Sequence, residues 1–225
     1  MPPNVSGQTD PLARFAAHVA HDFNNLLTAI LGNLELLQIR TRRSGMTEFD
    51  GFIEGANRAG NRATQLVRRL MVFSGSDSQG PGPQVLGQLI RGLDEHLRPE
   101  NREISVSLTD EDALLFCDPA QADLALSELL KNAAEATAEG GEIFVEAGAT
   151  DDQIVIRVRD TGCGMAPETL AHAGEVFFTT QHNRTGRGLG LTIVARFVAN
   201  AGGRMEIESE LGQGCRVTLT LPRAR

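Results

Sequence analysis

The run His-Asp-Phe-Asn-Asn-Leu-Leu at residues 21–27 sets an imidazole, a carboxylate and a carboxamide close together on one stretch of chain. A free imidazole, with an ordinary pKa of about 6.5, keeps a substantial neutral fraction near neutral pH, so one ring nitrogen can act as a nucleophile without a strong base. Asp22 can accept the hydrogen bond from the other ring nitrogen and fix the tautomer. Asn25, one helical turn past His21, can position phosphoryl oxygens or a water. Taken alone, a His-Asp pair on a helix is more often a solvated polar face, and His18 on the same helix is read that way.

A second group lies in Glu-Leu-Leu-Lys-Asn-Ala-Ala-Glu-Ala, residues 128–136. Glu128 and Asn132 are four apart and stack on one helix face, while Leu129, Ala133 and Ala136 form the packing face. The Asn132 amide oxygen suits Mg²⁺, which takes a few protein oxygens alongside nucleotide phosphates and water, and Glu128 can orient a metal-bound water. The plain alternative is a set of surface ion pairs through Lys131, each contributing ~0.2–0.5 kcal/mol.

Asp-Thr-Gly-Cys-Gly-Met, residues 160–165, follows a predicted strand. A carboxylate there can accept from an exocyclic amine, and Gly162 and Gly164 let the backbone approach a flat ring. Asp-Thr-Gly also occurs in aspartic proteases, but the next residue is Cys and there is no second copy. The last group is Phe-Phe-Thr-Thr-Gln-His-Asn-Arg-Thr-Gly-Arg-Gly-Leu-Gly-Leu, residues 177–191. Gly186, Gly188 and Gly190 precede a predicted helix, so backbone amides and the helix N-terminus can cradle phosphate, with Arg184 and Arg187 nearby. The GxGxG spacing matches neither the Walker A pattern nor the dinucleotide fingerprint, so the loop is informative only in combination.

These groups need elements to hold them. Ala16, Ala20, Phe23, Leu27, Ile30, Leu34 and Leu37 recur at steps of four and three, a heptad seam on one long helix. After a Thr-Arg-Arg-Ser-Gly turn, Phe52, Ala56, Ala59, Ala63, Leu66, Leu70 and Phe73 repeat the pattern, so a second helix folds back on the first. Two helices alone leave much of each seam wet, and a hairpin of this kind is expected to dimerise into a four-helix bundle. The stretch Ser-Gly-Ser-Asp-Ser-Gln-Gly-Pro-Gly-Pro-Gln at 74–84 breaks the heptads. The expected organisation is therefore a disordered N-terminus at 1–10, the hairpin at 11–75, a linker at 76–84 and an α/β domain at 85–225. Within that domain the sequence predicts a short helix at 85–98, a strand at 104–108 and a long helix opened by Asp118 and Pro119. Strands at 142–147 and 153–159, a helix near 188–201 and strands at 204–209 and 215–221 follow. Together they form a mixed sheet with helices on one face.

Bulk composition narrows the classes. Hydrophobic residues at 41% and charged residues at 22% are globular proportions, which exclude an extensively disordered chain. A net charge of -8 and the absence of Trp and Tyr argue against nucleic-acid binding. The charge is uneven: residues 1–76 hold 8 Arg against 6 acidic residues, leaving 13 basic against 23 acidic in the rest. Three widely spaced cysteines without a CxxC pair fit a reducing compartment, with neither a zinc site nor a disulfide framework. No signal peptide or membrane-spanning run is visible, so a cytoplasmic location without membrane contact is expected.

Taken in order, His21 with its Asn-Asn, the Asn132 helix, the Asp160 glycine turn, the Phe177–Thr180 segment and the Gly188–Gly190 turn resemble the complete box series of bacterial sensor histidine kinases. His-Asp-Phe-Asn-Asn-Leu-Leu resembles the H box of the nitrogen-regulation-type subclass. The C-terminal half is similar to the GHKL, or Bergerat, ATP-binding fold, and the resemblance covers nearly everything after residue 11. It implies an ATP-dependent protein histidine kinase with His21 as phosphoacceptor, Asp22 as its activating neighbour and Asn25 assisting dephosphorylation of a partner. It makes Asn132 the Mg²⁺ ligand with Glu128 nearby, and Asp160 the partner of the adenine amino group, in a pocket shaped by Gly162 and Gly164. Thr180, Arg184, Arg187, Gly188, Leu189 and Gly190 would hold the phosphates of ATP beneath a lid.

The implied partners are a second copy of the chain and a response-regulator receiver domain. No sensory domain precedes residue 11, so a separate sensory protein or a longer chain is expected to bring the signal. The sequence departs from the family at Val176, Gln181 and Arg187, where relatives often have Pro, Lys and Thr, which bears on the lid and phosphate contacts. A relay histidine phosphotransferase with a non-catalytic ATPase-like domain is the competing reading. It would be expected to lose the glycine turns or the metal-site Asn, which are present. A GHKL ATPase acting on other targets would leave the hairpin carrying His21 without a purpose.

Overall fold

The computed structural model describes residues 11–74, 80–96, 103–173 and 189–224. Residues 1–10, expected to be disordered, and Thr180, Arg184, Arg187 and Gly188 lie outside the described residues, as do Val176 and Gln181. The chain divides into two compact units, Met1–Asp77 and Ser78–Arg225.

The first unit is a helical hairpin. Helix α1 (Pro11–Arg43) ends with Arg40, Arg42 and Arg43 in its last turn, where cations complement the helix dipole. A single 3-10 turn, Thr47–Phe49, leads into α2 (Asp50–Ser74). The periodicity predicted both helices, but the seam that closes the hairpin is only in part the predicted one. Among the described side chains of α1 the buried and half-buried positions are Val19, Ala20, Asn24, Leu27, Leu31, Leu34, Gln38 and Thr41, and on α2 they include Ile53, Asn57, Gly60, Ala63, Thr64, Leu66, Val67 and Met71. Each helix carries a row at the alternating heptad spacing; on α1 it shares Ala20, Leu27 and Leu34 with the expected one. On α2 it lies one residue beyond the expected row, of which Ala63 and Leu66 are half-buried as well, while the side chains of Ala16, Leu70 and Phe73 lie outside the described ones. Phe23, Ile30, Leu37 and Phe52 instead stand 54%, 52%, 47% and 78% exposed. The apolar stripe is wider than one hairpin contact needs: Leu27, Leu31, Leu34, Ile53 and Val67 close the hairpin together with small and polar residues, while Phe23, Ile30, Leu37 and Phe52 stay outside.

The second unit is built on a five-stranded sheet of order β2-β4-β5-β7-β6. Its strands are β2 (Glu103–Leu108), β4 (Glu142–Ala149), β5 (Gln153–Asp160), β6 (Arg204–Ser209) and β7 (Cys215–Pro222). The β2–β4 pair is parallel and the other three are antiparallel, which makes the sheet mixed. Helices α3 (Leu86–His96), α4 (Pro119–Ala136) and α6 (Gly190–Asn200) cover one face, and α5 (Pro167–His172) is a short addition. Ile154, Ile156 and Val158 of β5 point inward as the alternation predicted, joining Ile143, Val145, Leu126, Leu129, Val194, Leu219 and Leu221. Burying each such Leu or Ile contributes about 1.5–3 kcal/mol. Asp118 caps α4 as predicted, its Oδ1 accepting from the Gln121 amide at 3.0 Å with Pro119 in the first turn.

Two strands were not predicted. β1 (Gly82–Val85) pairs antiparallel with β3 (Leu114–Cys117) in a small second sheet. The segment read as linker, 76–84, thus runs into β1. Gly80 is already fastened to this unit, its amide donating to Asp118 Oδ2 at 3.0 Å. Helix α3 begins one residue later than expected because Val85 completes β1. Among the described residues no helix is long and apolar enough to cross a membrane.

Candidate functional site

In the hairpin unit, the side chains of His21 and Asp22 stand 66% and 62% exposed. The seam passes through Ala20 and Asn24, so residues 21 and 22 face outward, as helical geometry requires. Both neighbours approach the same ring nitrogen. Asn25 Nδ2 lies 3.4 Å from His21 Nδ1, one turn along, and Asp22 Oδ1 lies 3.6 Å from it. The Asn25 NH₂ can only donate, so it engages Nδ1 in the tautomer that lacks a proton there; in the other tautomer the Asp22 charge favours the proton on Nδ1, and Nε2 keeps its lone pair available to an incoming electrophile. Asp22 is beyond ordinary hydrogen-bonding distance in this arrangement and acts on the ring through its charge.

In the sheet unit, Asp160 ends β5 on the helix-covered face, where it pairs across the sheet with Ile143 on one side and Cys215 on the other. It is 5% exposed. Burial pushes its carboxyl above the usual carboxylate range, and backbone amides of Gly162 and Cys215 pull it partly back. The Gly162 amide donates to Asp160 Oδ1 at 2.8 Å. Such a buried carboxylate, with one oxygen committed to the backbone, can take a neutral donor such as an exocyclic amine with the other.

The turn after Asp160 is held on two sides. Toward α4, the Cys163 amide donates to Ala136 O at 3.1 Å, and a Cβ on Gly162 would lie 2.5 Å from that same oxygen. Toward the β6–β7 turn, Gly164 has φ +62°, and a Cβ there would fall 1.9 Å from Glu210 O. Glycine is required at both positions, by close approach at the first and by backbone conformation as well at the second. Ser209 Oγ accepts from the Met165 amide at 2.9 Å and donates to Gly214 O at 2.8 Å, bridging the two turns.

Glu128 and Asn132 are both on α4, and Glu128 is only 5% exposed. They meet the N-terminus of α6: a Cβ on Gly190 would lie 3.1 Å from Glu128 Oε2 and from Asn132 Nδ2, and 3.4 Å from Asn132 Oδ1. Leu189 is the residue before the helix, and Gly190 is its first residue rather than part of a preceding loop. The structure therefore gathers Asp160, Gly162 and Gly164 in one cluster and Glu128, Asn132, Leu189 and Gly190 in another, with α4 contributing to both. Asn132 and Glu128 supply oxygen donors of the kind Mg²⁺ takes together with phosphate, and the α6 N-terminus adds the amides that favour anions. Among the described residues no cluster of three or more His, Cys, Asp or Glu could hold a metal by itself.

Sequence reading missed Ser209, Cys215 and the backbone of Ala136. Cys215 lies against Asp160, and its thiol is pushed up to about 11 by burial and by the Asp160 charge. Only the strand register brings these residues together, although Gly212 and Gly214, both with positive φ, marked the turn before Cys215.

Two family descriptions match this chain. Residues 12–79 match the His Kinase A (phospho-acceptor) domain, and residues 117–225 match the histidine kinase-, DNA gyrase B- and HSP90-like ATPase. Sporulation kinase E of Bacillus subtilis is 28% identical over 94% of this chain and 28% of its own length. Sensor kinase CckA of Brucella abortus is 32% identical over 97% of this chain and 25% of its own. Sporulation kinase D of Bacillus subtilis is 29% identical over 97% and 43% respectively. The chain thus spans less than half the length of these relatives. Among solved structures, full-length ShkA in complex with AMPPNP superposes with a TM-score of 0.74 at 26% identity, covering 94% of this chain and 46% of that one. The catalytic domain of histidine kinase ThkA gives 0.56 at 26% identity, covering 64% of this chain and 97% of that one. With a phosphoacceptor-type hairpin bearing an outward histidine, joined to an ATPase-type sheet unit bearing a buried carboxylate, this chain belongs to the sensor histidine kinase family and carries its two-domain core.

Proposed function

We propose that the chain binds ATP in the sheet unit and phosphorylates His21 on the hairpin, then passes the phosphoryl group to an aspartate of a receiver domain. The observation that carries this reading is the coexistence in one chain of an exposed imidazole with Nδ1 engaged and a buried carboxylate at the end of β5. Bound ATP would supply an electrophilic terminal phosphoryl group. Asp160 accepts the adenine amine, Gly162 and Gly164 let the backbone lie against the base, and Asn132 with Glu128 holds Mg²⁺ directly or through water. Leu189 and Gly190 present the α6 N-terminus to phosphate. Thr180, Arg184, Arg187 and Gly188 are assigned to the same phosphates from the resemblance alone. Nε2 of His21 attacks while the Asp22 charge stabilises the proton on Nδ1. Asn25 also assists removal of phosphate from the receiver.

In this reading the hairpin, with its domain spanning 11–75, dimerises through the apolar row that includes Phe23, Ile30 and Phe52, and the catalytic domain follows the linker. The protein works in the cytoplasm and receives its stimulus from a further domain or protein. The relay alternative is not favoured, because the domain that matches the ATPase family retains Asn132, Asp160 and their glycines.

The test is labelling with Mg-[γ-³²P]ATP. The full chain forms an acid-labile, alkali-stable adduct, and His21→Ala abolishes it while ATP affinity is retained. Labelling that persists in His21→Ala would refute the assignment of the phosphoacceptor.

A further inference from the structure

The helix-free face of the sheet carries a feature that phosphoryl transfer does not use: a shallow cavity of about 530 Å³ lined by Phe144, Glu146, Arg157, Arg159 and Arg216. It gathers positive charge on an acidic body, for residues 78–225 hold 13 Arg and Lys against 22 Asp and Glu, a net of -9. The register lines Phe144, Arg159, Arg216 and Glu208 in one row across β4, β5, β7 and β6. Arg159 lies 5.7 Å over the Phe144 ring. Arg157 and Glu146 form the next cross-strand pair at 3.7 Å, and Arg216 reaches Glu208 at 3.2 Å.

Sheet stability accounts for part of this. Opposite charges facing each other across strands are the usual stabilising pattern, and both of those ion pairs fit it. Arg159 does not. It stands directly opposite Arg216, an arrangement that destabilises a sheet, and among the described residues it has no ion-pair partner. Two adjacent guanidinium groups on rigid strands, one stacked on an aromatic ring, are suited to bidentate carboxylates and to an apolar side chain beside them. Arginine and aromatic residues are also the types that concentrate in protein–protein contacts.

We propose that this face docks an acidic segment of a protein partner, with two neighbouring carboxylates held by Arg159 and Arg216 and an apolar side chain seated against Phe144. The exposed carboxylates of Glu142, Glu146, Glu206 and Glu208 share the face and rim the arginines. A long phosphate backbone would run into that rim, whereas a short acidic peptide fits within it.

A fluorescein-labelled twelve-residue peptide of repeating Glu-Glu-Phe-Ser, titrated into the full chain at low salt, provides the probe. The amide signals of Phe144, Arg157, Arg159 and Arg216 shift on binding, a peptide with Gln in place of Glu binds at least tenfold more weakly, and Arg159→Glu weakens the Glu peptide at least tenfold. Because Arg159→Glu replaces a like-charged pair by an opposite one, its Tm is no lower than that of the wild type. Equal peptide affinity in Arg159→Glu, or a lowered Tm, overturns the proposal, the second because the pair then serves the fold. Tighter binding of pyrophosphate or of a twelve-nucleotide single-stranded DNA at the same amides also overturns it, in favour of a phosphate ligand.

Discussion

Asp160→Asn exchanges one carboxylate oxygen for an NH₂ at a position where the two oxygens have different duties. Oδ1 accepts from the Gly162 amide at 2.8 Å, the Cys215 amide also stabilises the carboxylate, and the other oxygen is the one proposed to accept from a nucleotide amine. The variant keeps its carbonyl oxygen toward Gly162, so its NH₂ faces the adenine amine and a donor meets a donor. A hydrogen bond to a charged group contributes about 1.5–3 kcal/mol. At about 1.4 kcal/mol per factor of ten, ATP affinity falls about tenfold to a hundredfold. Isothermal titration with Mg-ATP measures it.

The pH profile separates this cause from general damage. Burial raises the Asp160 pKa, so the wild type begins to lose affinity on acidification at a higher pH than an ordinary carboxylate would, and the variant shows no such step. Stability runs the other way. In the ligand-free wild type, the charged carboxylate destabilises the fold at any pH above its folded pKa, and that penalty fades as the pH falls through the folded pKa toward the unfolded value. Asp160→Asn therefore melts no lower than the wild type at pH 7, and any advantage shrinks on acidification. Unchanged ATP affinity, or a variant that melts well below the wild type at pH 7, would refute the reasoning.

Asn25→Ala removes the amide 3.4 Å from His21 Nδ1 without touching the seam, so the hairpin stays folded. Loss of phosphate from a phosphorylated receiver should slow by about tenfold or more, as expected when a group that positions a reactant is removed; equal rates would discard that role. Iodoacetamide at pH 8 should modify Cys163, which is exposed, and spare Cys117 and Cys215, whose thiols burial pushes up to about 11. Peptide mapping by mass spectrometry reads the result, and rapid alkylation of Cys215 would contradict its packing against Asp160.

The parts of this structure legible in the sequence are those set by neighbours along the chain. The alternation of Ile154, Ile156 and Val158 gave their strand, and Asp118 with Pro119 gave the start of α4. The spacing of Glu128 and Asn132 gave a shared helix face, and Gly190 beside both shows what that face meets. What stayed hidden depends on distant partners. β1 contains Gly82 and Pro83, which read as linker, and it becomes a strand by pairing with residues 114–117. The hairpin seam was misplaced in part, because a hydrophobic period favours the largest side chains, Phe23, Ile30 and Phe52, whereas two helices in close contact also take in Asn24, Gly60 and Thr64. Ser209 and Cys215 carry no local signature, since their nearness to Asp160 follows from cross-strand register.

Arg159 and Asp160 are adjacent in the chain, and the pleat sends them to opposite sides of β5. A single peptide bond thus separates a dry chamber that tolerates almost no change from an open terrace that can accept many. Lineages descending from one ancestor can redraft the terrace, exchanging arginines for other residues as their companions diverge, and leave the chamber intact. Comparison of such lineages should therefore find odd-numbered positions of this strand drifting while their even-numbered neighbours hold still.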